Sequence, residues 1–167
     1  MDTPRDARRA RRPRLTPGRI ALAVALSALA SAPLALASDI GRSHVLTGQS
    51  GERVRVTLRG ARDNVGGYDV GAGKRLYCVT VSVSNVGSKR FSDAPANDGV
   101  VVVRGGGEEH ASIATGGSCD TLGLLKLTHG QHRTITLPFA LRKGARPESF
   151  EFTTSSGYGQ KGVWKLS

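Results

Sequence analysis

Along most of the chain, apolar and polar side chains alternate with a period of two between glycines, and no stretch follows the 3.6-residue period of a helix. From Glu52 to Arg59, Val54, Val56 and Leu58 fall on one side and Arg53, Arg55, Thr57 and Arg59 on the other, which predicts a strand with one buried face. Leu76 to Asn85 is the strongest such segment. Tyr77, Val79, Val81 and Val83 point one way and Cys78, Thr80, Ser82 and Ser84 the other, so its apolar side is expected at the centre of the core. Val100 to Val103 is an unbroken β-branched run that reads as a buried strand, followed by a turn at Gly105-Gly106-Gly107 and a weaker partner from Glu109 to Ile113. Further on, Gln131 to Leu141 alternates Ile135, Leu137 and Phe139, Glu148 to Thr153 sets Phe150 and Phe152 together, and Gly162 to Leu166 places Trp164 and Leu166 on one face. Gly60 to Gly73, and Asp93 to Asn97 around Pro95, read as loops.

Seven or eight strands over about 120 residues, without the helical crossovers that parallel strands need, predict an all-β fold of two packed antiparallel sheets, with a closed barrel as the alternative. No internal repeat or low-complexity tract interrupts this domain.

The N-terminus has a different character. Its first nineteen residues hold seven arginines against Asp2 and Asp6, and Ile20 to Ala37 carries no charge. Basic, then apolar, then the small triplet Ala35-Leu36-Ala37 is the order of a signal peptide over residues 1–37, cleaved before Ser38. An uncleaved anchor is the competing reading, because these eighteen uncharged residues approach the roughly 20 of a membrane-spanning helix. Alanine richness, Pro33 and the small triplet favour removal, which leaves no integral membrane span. Pro13 and Arg14 occupy positions where a twin-arginine signal has an apolar pair, so general secretion fits better. Residues 38–49 then read as a short polar lead and 50–167 as the sandwich domain of a secreted protein, with cell-envelope association open.

The leader also accounts for much of the charge. The chain has 24 Lys and Arg against 13 Asp and Glu, a formal +11, and without residues 1–37 the balance is 17 against 11. The remaining bases are scattered and no aromatic ladder is interleaved with them, which argues against a specific nucleic-acid site. Attraction to an anionic cell wall or membrane surface is compatible with the net positive charge.

An exported chain meets oxidising conditions, so the isolated pair Cys78 and Cys119 is expected to form a disulfide. Closing a loop of about forty residues stabilises the fold by up to about 4 kcal/mol. Because Cys78 lies on the side opposite Tyr77, Val79 and Val81, the bridge should tie the strand to the Gly116-Gly117-Ser118 segment and not cross the core.

Catalytic groupings are sparse. Of the histidines His44, His110, His129 and His132, only the last two are close, flanking Gly130, and no HExxH pattern accompanies them. Gly48-Gln49-Ser50-Gly51 and Gly116-Gly117-Ser118-Cys119-Asp120 both lack the spacing of a serine nucleophile elbow. Asp63, Asn64 and Asp69, and separately Asn97-Asp98-Gly99, offer oxygen ligands for calcium, yet Asx residues of this kind also serve turns through their own hydrogen bonds. No cofactor is implied.

Val79-Thr80-Val81-Ser82-Val83-Ser84-Asn85-Val86-Gly87 resembles the alternating strand with a terminal Asn-x-Gly of a bacterial family of secreted immunoglobulin-like domains of unknown function, related in fold to an immunoprotective extracellular antigen of actinobacteria. Gly130, Ile135-Thr136-Leu137-Pro138-Phe139, Pro147 before Phe150, and Trp164 follow in the same order, so that the resemblance covers Gly51 to Ser167. It implies an immunoglobulin-like antiparallel β-sandwich outside the cytoplasm and carries no catalytic residue with it.

The leading functional expectation is therefore a non-enzymatic binding module with an unknown protein or cell-envelope partner, presented by the Gly60 to Gly73 loop, with Tyr68 and Asp69 as candidate contacts, and by the Asp93 to Gly99 loop. The alternatives are a small secreted hydrolase or metal-dependent enzyme using His129, His132 and an acidic partner, and a structural wall-associated protein held by charge.

Overall fold

The computed structural model describes residues 38–63, 70–111, 119 and 123–167; the leader, Tyr68 and Asp69 lie outside this set. Ten strands follow in order: β1 (Ser43–Thr47), β2 (Arg53–Asp63), β3 (Lys74–Asn85), β4 (Phe91–Asp93), β5 (Gly99–Val103), β6 (Gly107–His110), β7 (Leu125–Leu127), β8 (His132–Arg142), β9 (Pro147–Thr153) and β10 (Lys161–Lys165). One four-stranded sheet has the order β1-β2-β3-β8 and a second the order β10-β9-β5-β6, while β4 and β7 form a separate ribbon. Every pairing is antiparallel. The arrangement is a β-sandwich, as the strand pattern predicts.

Alternation decides which residues meet between the sheets. Val79, Val81 and Val83 of β3 are fully buried, and each sits beside inward residues of its neighbours: Val81 pairs with Leu58 on β2 and with Ile135 on β8. From the second sheet come Val101, Phe150, Phe152 and Trp164, all fully buried in the same cluster. Phe150 is the hub, with ring centroids 6.2 Å from Phe139, 6.4 Å from Phe152 and 5.7 Å from Trp164. Two glycines make room for this cluster. A Cβ on Gly99 would lie 2.8 Å from Leu137, and one on Gly162 would lie 2.7 Å from the Trp164 ring. Along one side the sandwich is sealed by hydrogen bonds between the sheets, including Asp39 N to Lys165 O and Gln160 N to Thr47 O, both 2.9 Å.

Several elements differ from expectation. Within the segment expected to be a polar lead, Ser43–Thr47 forms a strand, because Leu46 reaches the core and His44 packs edge-on against Trp164 at 4.8 Å; one strong apolar residue gives no readable period. β2 continues to Asp63, into the expected loop from Gly60. A bulge lies between Leu58 and Gly60, and the extra residue, Arg59, shifts the phase so that Ala61 is the next to pack against the core. In β5 only Val101 of the valine run is fully buried, so that strand has one solvated face. β4 and β7 are three residues each, too short for periodicity to register, and bury Phe91, Leu125 and Leu127. These additions bring the count from the expected seven or eight strands to ten among the described residues.

The Asn85-Val86-Gly87 corner has a physical cause at both ends. Buried Asn85 donates from Nδ2 to the carbonyls of Lys89 (2.8 Å) and Leu127 (2.9 Å) and accepts from Gly87 N at Oδ1 (2.9 Å). Gly87 must lack a side chain, since a Cβ there would lie 2.9 Å from the Arg53 nitrogen. Replacement of Asn85 by alanine is expected to leave these buried partners unsatisfied and cost about 2–4 kcal/mol in urea unfolding. A loss below about 0.5 kcal/mol would show that the corner is held by something else.

Candidate functional site

Strand pairing assembles a polar surface on the outward face of the β1-β2-β3-β8 sheet. Reading across the strands, one row is Ser43, Thr57, Ser82 and Thr134, and the next is Val45, Arg55, Ser84 and His132. On the other side of the hydroxyl row lie Gly60, Thr80 and Thr136. The hydroxyls are partly tied together: Ser43 Oγ lies 2.7 Å from Thr57 Oγ1, and Thr80 Oγ1 lies 3.1 Å from Thr136 Oγ1. Five cationic side chains, Arg53, Arg55, Arg62, Lys74 and Arg142, take outward positions on these strands, all exposed. No Asp or Glu does so among the described residues.

The opposite face of the sandwich is balanced. Outward on β6, β5, β9 and β10 are Glu108, His110, Glu151, Lys161 and Lys165, and Lys161 Nζ lies 2.5 Å from Glu151 Oε2. The acidic partner and the neighbouring Glu108 raise the Lys161 pKa from its ordinary value.

The Cys78–Cys119 disulfide bounds the first face. Its Cα atoms are 5.9 Å apart, and the two cysteines, with Leu76 and Val70, form a small apolar cluster separate from the main core. The bridge is thus on the outside of the sheet, as the parity of Cys78 predicts.

The expected presenting loops fare differently. Tyr68 and Asp69 lie outside the described residues, so the structure does not place them. The segment Asp93 to Gly99 does not project as a binding loop: Asp93, Pro95, Asp98 and Gly99 are buried, and Pro95–Asn97 is a single 3-10 turn folded against the core. Asp98 therefore has no ligand role at the surface, and of the other proposed calcium group Asp63 instead contacts Arg75, while Asn64 and Asp69 lie outside the described residues. His129 Nδ1 donates to the Gly87 carbonyl at 3.0 Å, which makes it part of the Asn85 corner, and His132 opens β8 opposite Ser84. Among the described residues, no group of three or more His, Cys, Asp or Glu side chains is placed to hold a metal ion. A cleft of about 680 Å³ beside them is lined by Leu124, Leu127, Lys126 and Arg133 among others.

Behind the Asp93 to Gly99 segment, two buried carboxyl groups meet the β9–β10 turn. Asp93 accepts from Ala94 N (2.9 Å), Ser155 N (2.5 Å) and Ser156 Oγ (3.2 Å). Ser155 and Ser156 hold φ of 59° and 51°, a region that costs about 1–3 kcal/mol for residues with a side chain, and the Asp93 bonds hold them there. Asp98 is different. The Ser156 and Gly157 amides lie toward its carboxyl without completing hydrogen bonds of good geometry. Burial, followed by the charge of Asp93 and a hydrogen bond to it, pushes the Asp98 carboxyl up to about 8, partly offset by the Ser156 and Gly157 amides. A protonated Asp98 donating to Asp93 satisfies the pair.

A two-layer antiparallel sandwich of this kind, with a polar outward sheet face, defines a structural class before any particular protein. The chain matches no protein-family model, and no curated protein matches it. Two solved structures share the fold. MPT63, a secreted protein from Mycobacterium tuberculosis, superposes with a TM-score of 0.58 at 14% identity, covering 76% of this chain and 94% of that one. YcdA of Bacillus subtilis, a candidate lipoprotein, superposes with a TM-score of 0.55 at 13% identity over 74% of this chain and 38% of that chain. Among the described residues, no helix is long and apolar enough to cross a membrane.

The carboxyl pair makes stability depend on pH with a definite sign. Between the ordinary aspartate value of 3.8 and about 8, the folded state holds a proton at Asp98 that the unfolded chain releases. This contribution to stability is therefore full at acid pH and falls as pH rises through that window, by at most about 1.4 kcal/mol per pH unit. Asp98→Asn should flatten the fall and be more stable than the parent at pH 8. Parallel pH profiles of parent and variant in denaturant unfolding would contradict this account.

Proposed function

We propose that the protein is a non-enzymatic extracellular binding module that engages an anionic partner of the cell envelope through the outward face of the β1-β2-β3-β8 sheet. The observation that carries this reading is the sorting of charge among the described residues: five cations and no acidic side chain at outward strand positions of that sheet, against two lysines and two glutamates outward on the other. Separated like charges on a solvated surface contribute nothing to folding and repel one another, so a patch of one sign favours a partner of the opposite sign. The basic-apolar leader of residues 1–37 supports delivery outside the cytoplasm. The secreted MPT63 and the candidate lipoprotein YcdA show that this fold occurs in proteins of those descriptions.

This reading moves the contact surface away from Asp93 to Gly99 and onto a rigid sheet. Sheet residues hold their spacing, which lowers the entropy lost on binding relative to a mobile loop. Arg53 and Arg55 lie two apart on one strand, both exposed, and direct two guanidinium groups to the same side.

Sedimentation of the purified secreted form with a cell-envelope preparation tests it. Binding should fall steeply between about 0.05 and 0.5 M salt, because exposed charges are screened within about 10 Å at 0.1 M. Arg53→Glu with Arg55→Glu should weaken binding at least about tenfold, and the matching reversal of Lys161 and Lys165 less than about twofold. Equal effects from the two reversals would remove the assignment.

A further inference from the structure

Resting on the reading just given, we propose that the partner is a linear acidic polysaccharide, bound along the accessible hydroxyls of Ser43, Thr80, Thr134 and Thr136 beside Arg53 and Arg55, with Thr57 and Ser82 buried between them. The argument runs by the chemistry the face offers and lacks. Among the described residues its outward strand positions include no Phe, Tyr or Trp for nucleic-acid bases to stack on. Partner proteins are held mainly by aromatic and arginine anchors seated in pockets, and here the arginines stand on an open sheet. A lipid surface needs an apolar segment to bury, and in the open rows only Val45, 41% exposed, is apolar.

What the face does offer is hydroxyls in two dimensions. Neighbouring strands are about 4.8 Å apart and alternate residues along a strand about 7 Å apart, so half-buried Thr80 and Ser84, on either side of buried Ser82, extend the array lengthwise. Each Ser or Thr hydroxyl both donates and accepts, which matches the hydroxyls of a sugar chain and has no counterpart in a purely acidic polypeptide. Contact with buried Thr57 fixes the Ser43 hydroxyl, and Thr80 and Thr136 fix each other, which leaves three positioned groups with further bonding capacity. Arg53 and Arg55 then receive the carboxylates, with which a guanidinium forms paired, charge-assisted hydrogen bonds. Since these hydroxyls and arginines stand on the surface of a sheet, each sugar contributes little and affinity must come from many units at once.

Titration of the full secreted form with three probes at one salt concentration separates the possibilities: polygalacturonate, poly-L-glutamate with the same number of charges, and vesicles of anionic phospholipid. Polygalacturonate should bind at least about tenfold tighter than the other two and tighten with chain length. Thr134→Val with Thr136→Val should weaken polygalacturonate binding about fivefold more than polyglutamate binding, and Thr134→Ser with Thr136→Ser should restore it. Equal affinity for the two polymers, tighter binding to vesicles, or a valine effect equal on both polymers would overturn the polysaccharide while leaving the cationic face as the contact surface. If Arg53→Glu with Arg55→Glu changes binding to none of the three probes, the face itself is the wrong surface and both readings fall.

Discussion

The inward valines of β3 are the constraint on which the rest of the molecule depends. β3 is hydrogen-bonded on both edges, to β2 and to β8, and between these strands Val79, Val81 and Val83 are closed from solvent on every side. Burying a side chain of this size stabilises the fold by about 1.5–3 kcal/mol, and the effect has no preferred direction. Direction comes from the pleat. Once the valines face the second sheet, Thr80, Ser82 and Ser84 must face away, and the register with β2 and β8 sets Thr57, Thr134 and Thr136 beside them. The outer surface is in this sense a by-product of the core.

Two buried polar arrangements show opposite ways of meeting the cost of desolvation. At the Asn85 corner each half of the amide is matched, donor to carbonyl and acceptor to amide, so the group is neutral and satisfied. At the Asp93–Asp98 pair, Ser155 N and Ser156 Oγ of the β9–β10 turn donate to Asp93, while Asp98 has only the weaker help of the Ser156 and Gly157 amides and keeps its proton. Two adjacent buried carboxylates are unfavourable unless one is neutral, which ties the turn at Ser155 and Ser156 to protonation. The Asn85 amide has no proton to lose in this range, and the carboxyl pair does.

Fold and surface chemistry are decided separately. A superposition at 13–14% identity establishes that the backbone path is shared with MPT63 and YcdA and nothing about which charges stand on it. Within this chain, the same architecture carries one face sorted to positive charge and another on which Lys161 is neutralised by Glu151. The disulfide follows the same logic, joining Cys78 to Cys119 on the outward side of β3, in an apolar cluster of its own.

The all-β class, the inward residues of β2, β3, β8, β9 and β10, and the parity of Cys78 were readable from the chain because a period of two is a local property that survives without knowledge of neighbours. β1, β4 and β7 were not readable, because a strand of three to five residues with one or two apolar side chains is defined by what it packs on. Nor was the bulge at Arg59, whose extra residue exists only relative to β3. The polar faces of β2 and β3 were visible separately, but that they adjoin each other and Thr134 and Thr136 is a matter of strand order. Asp98 looked like a surface Asx residue and is buried against Asp93 for the same reason. Local alternation is written in the chain; adjacency between strands distant in sequence arises only when the hydrophobic faces find one another.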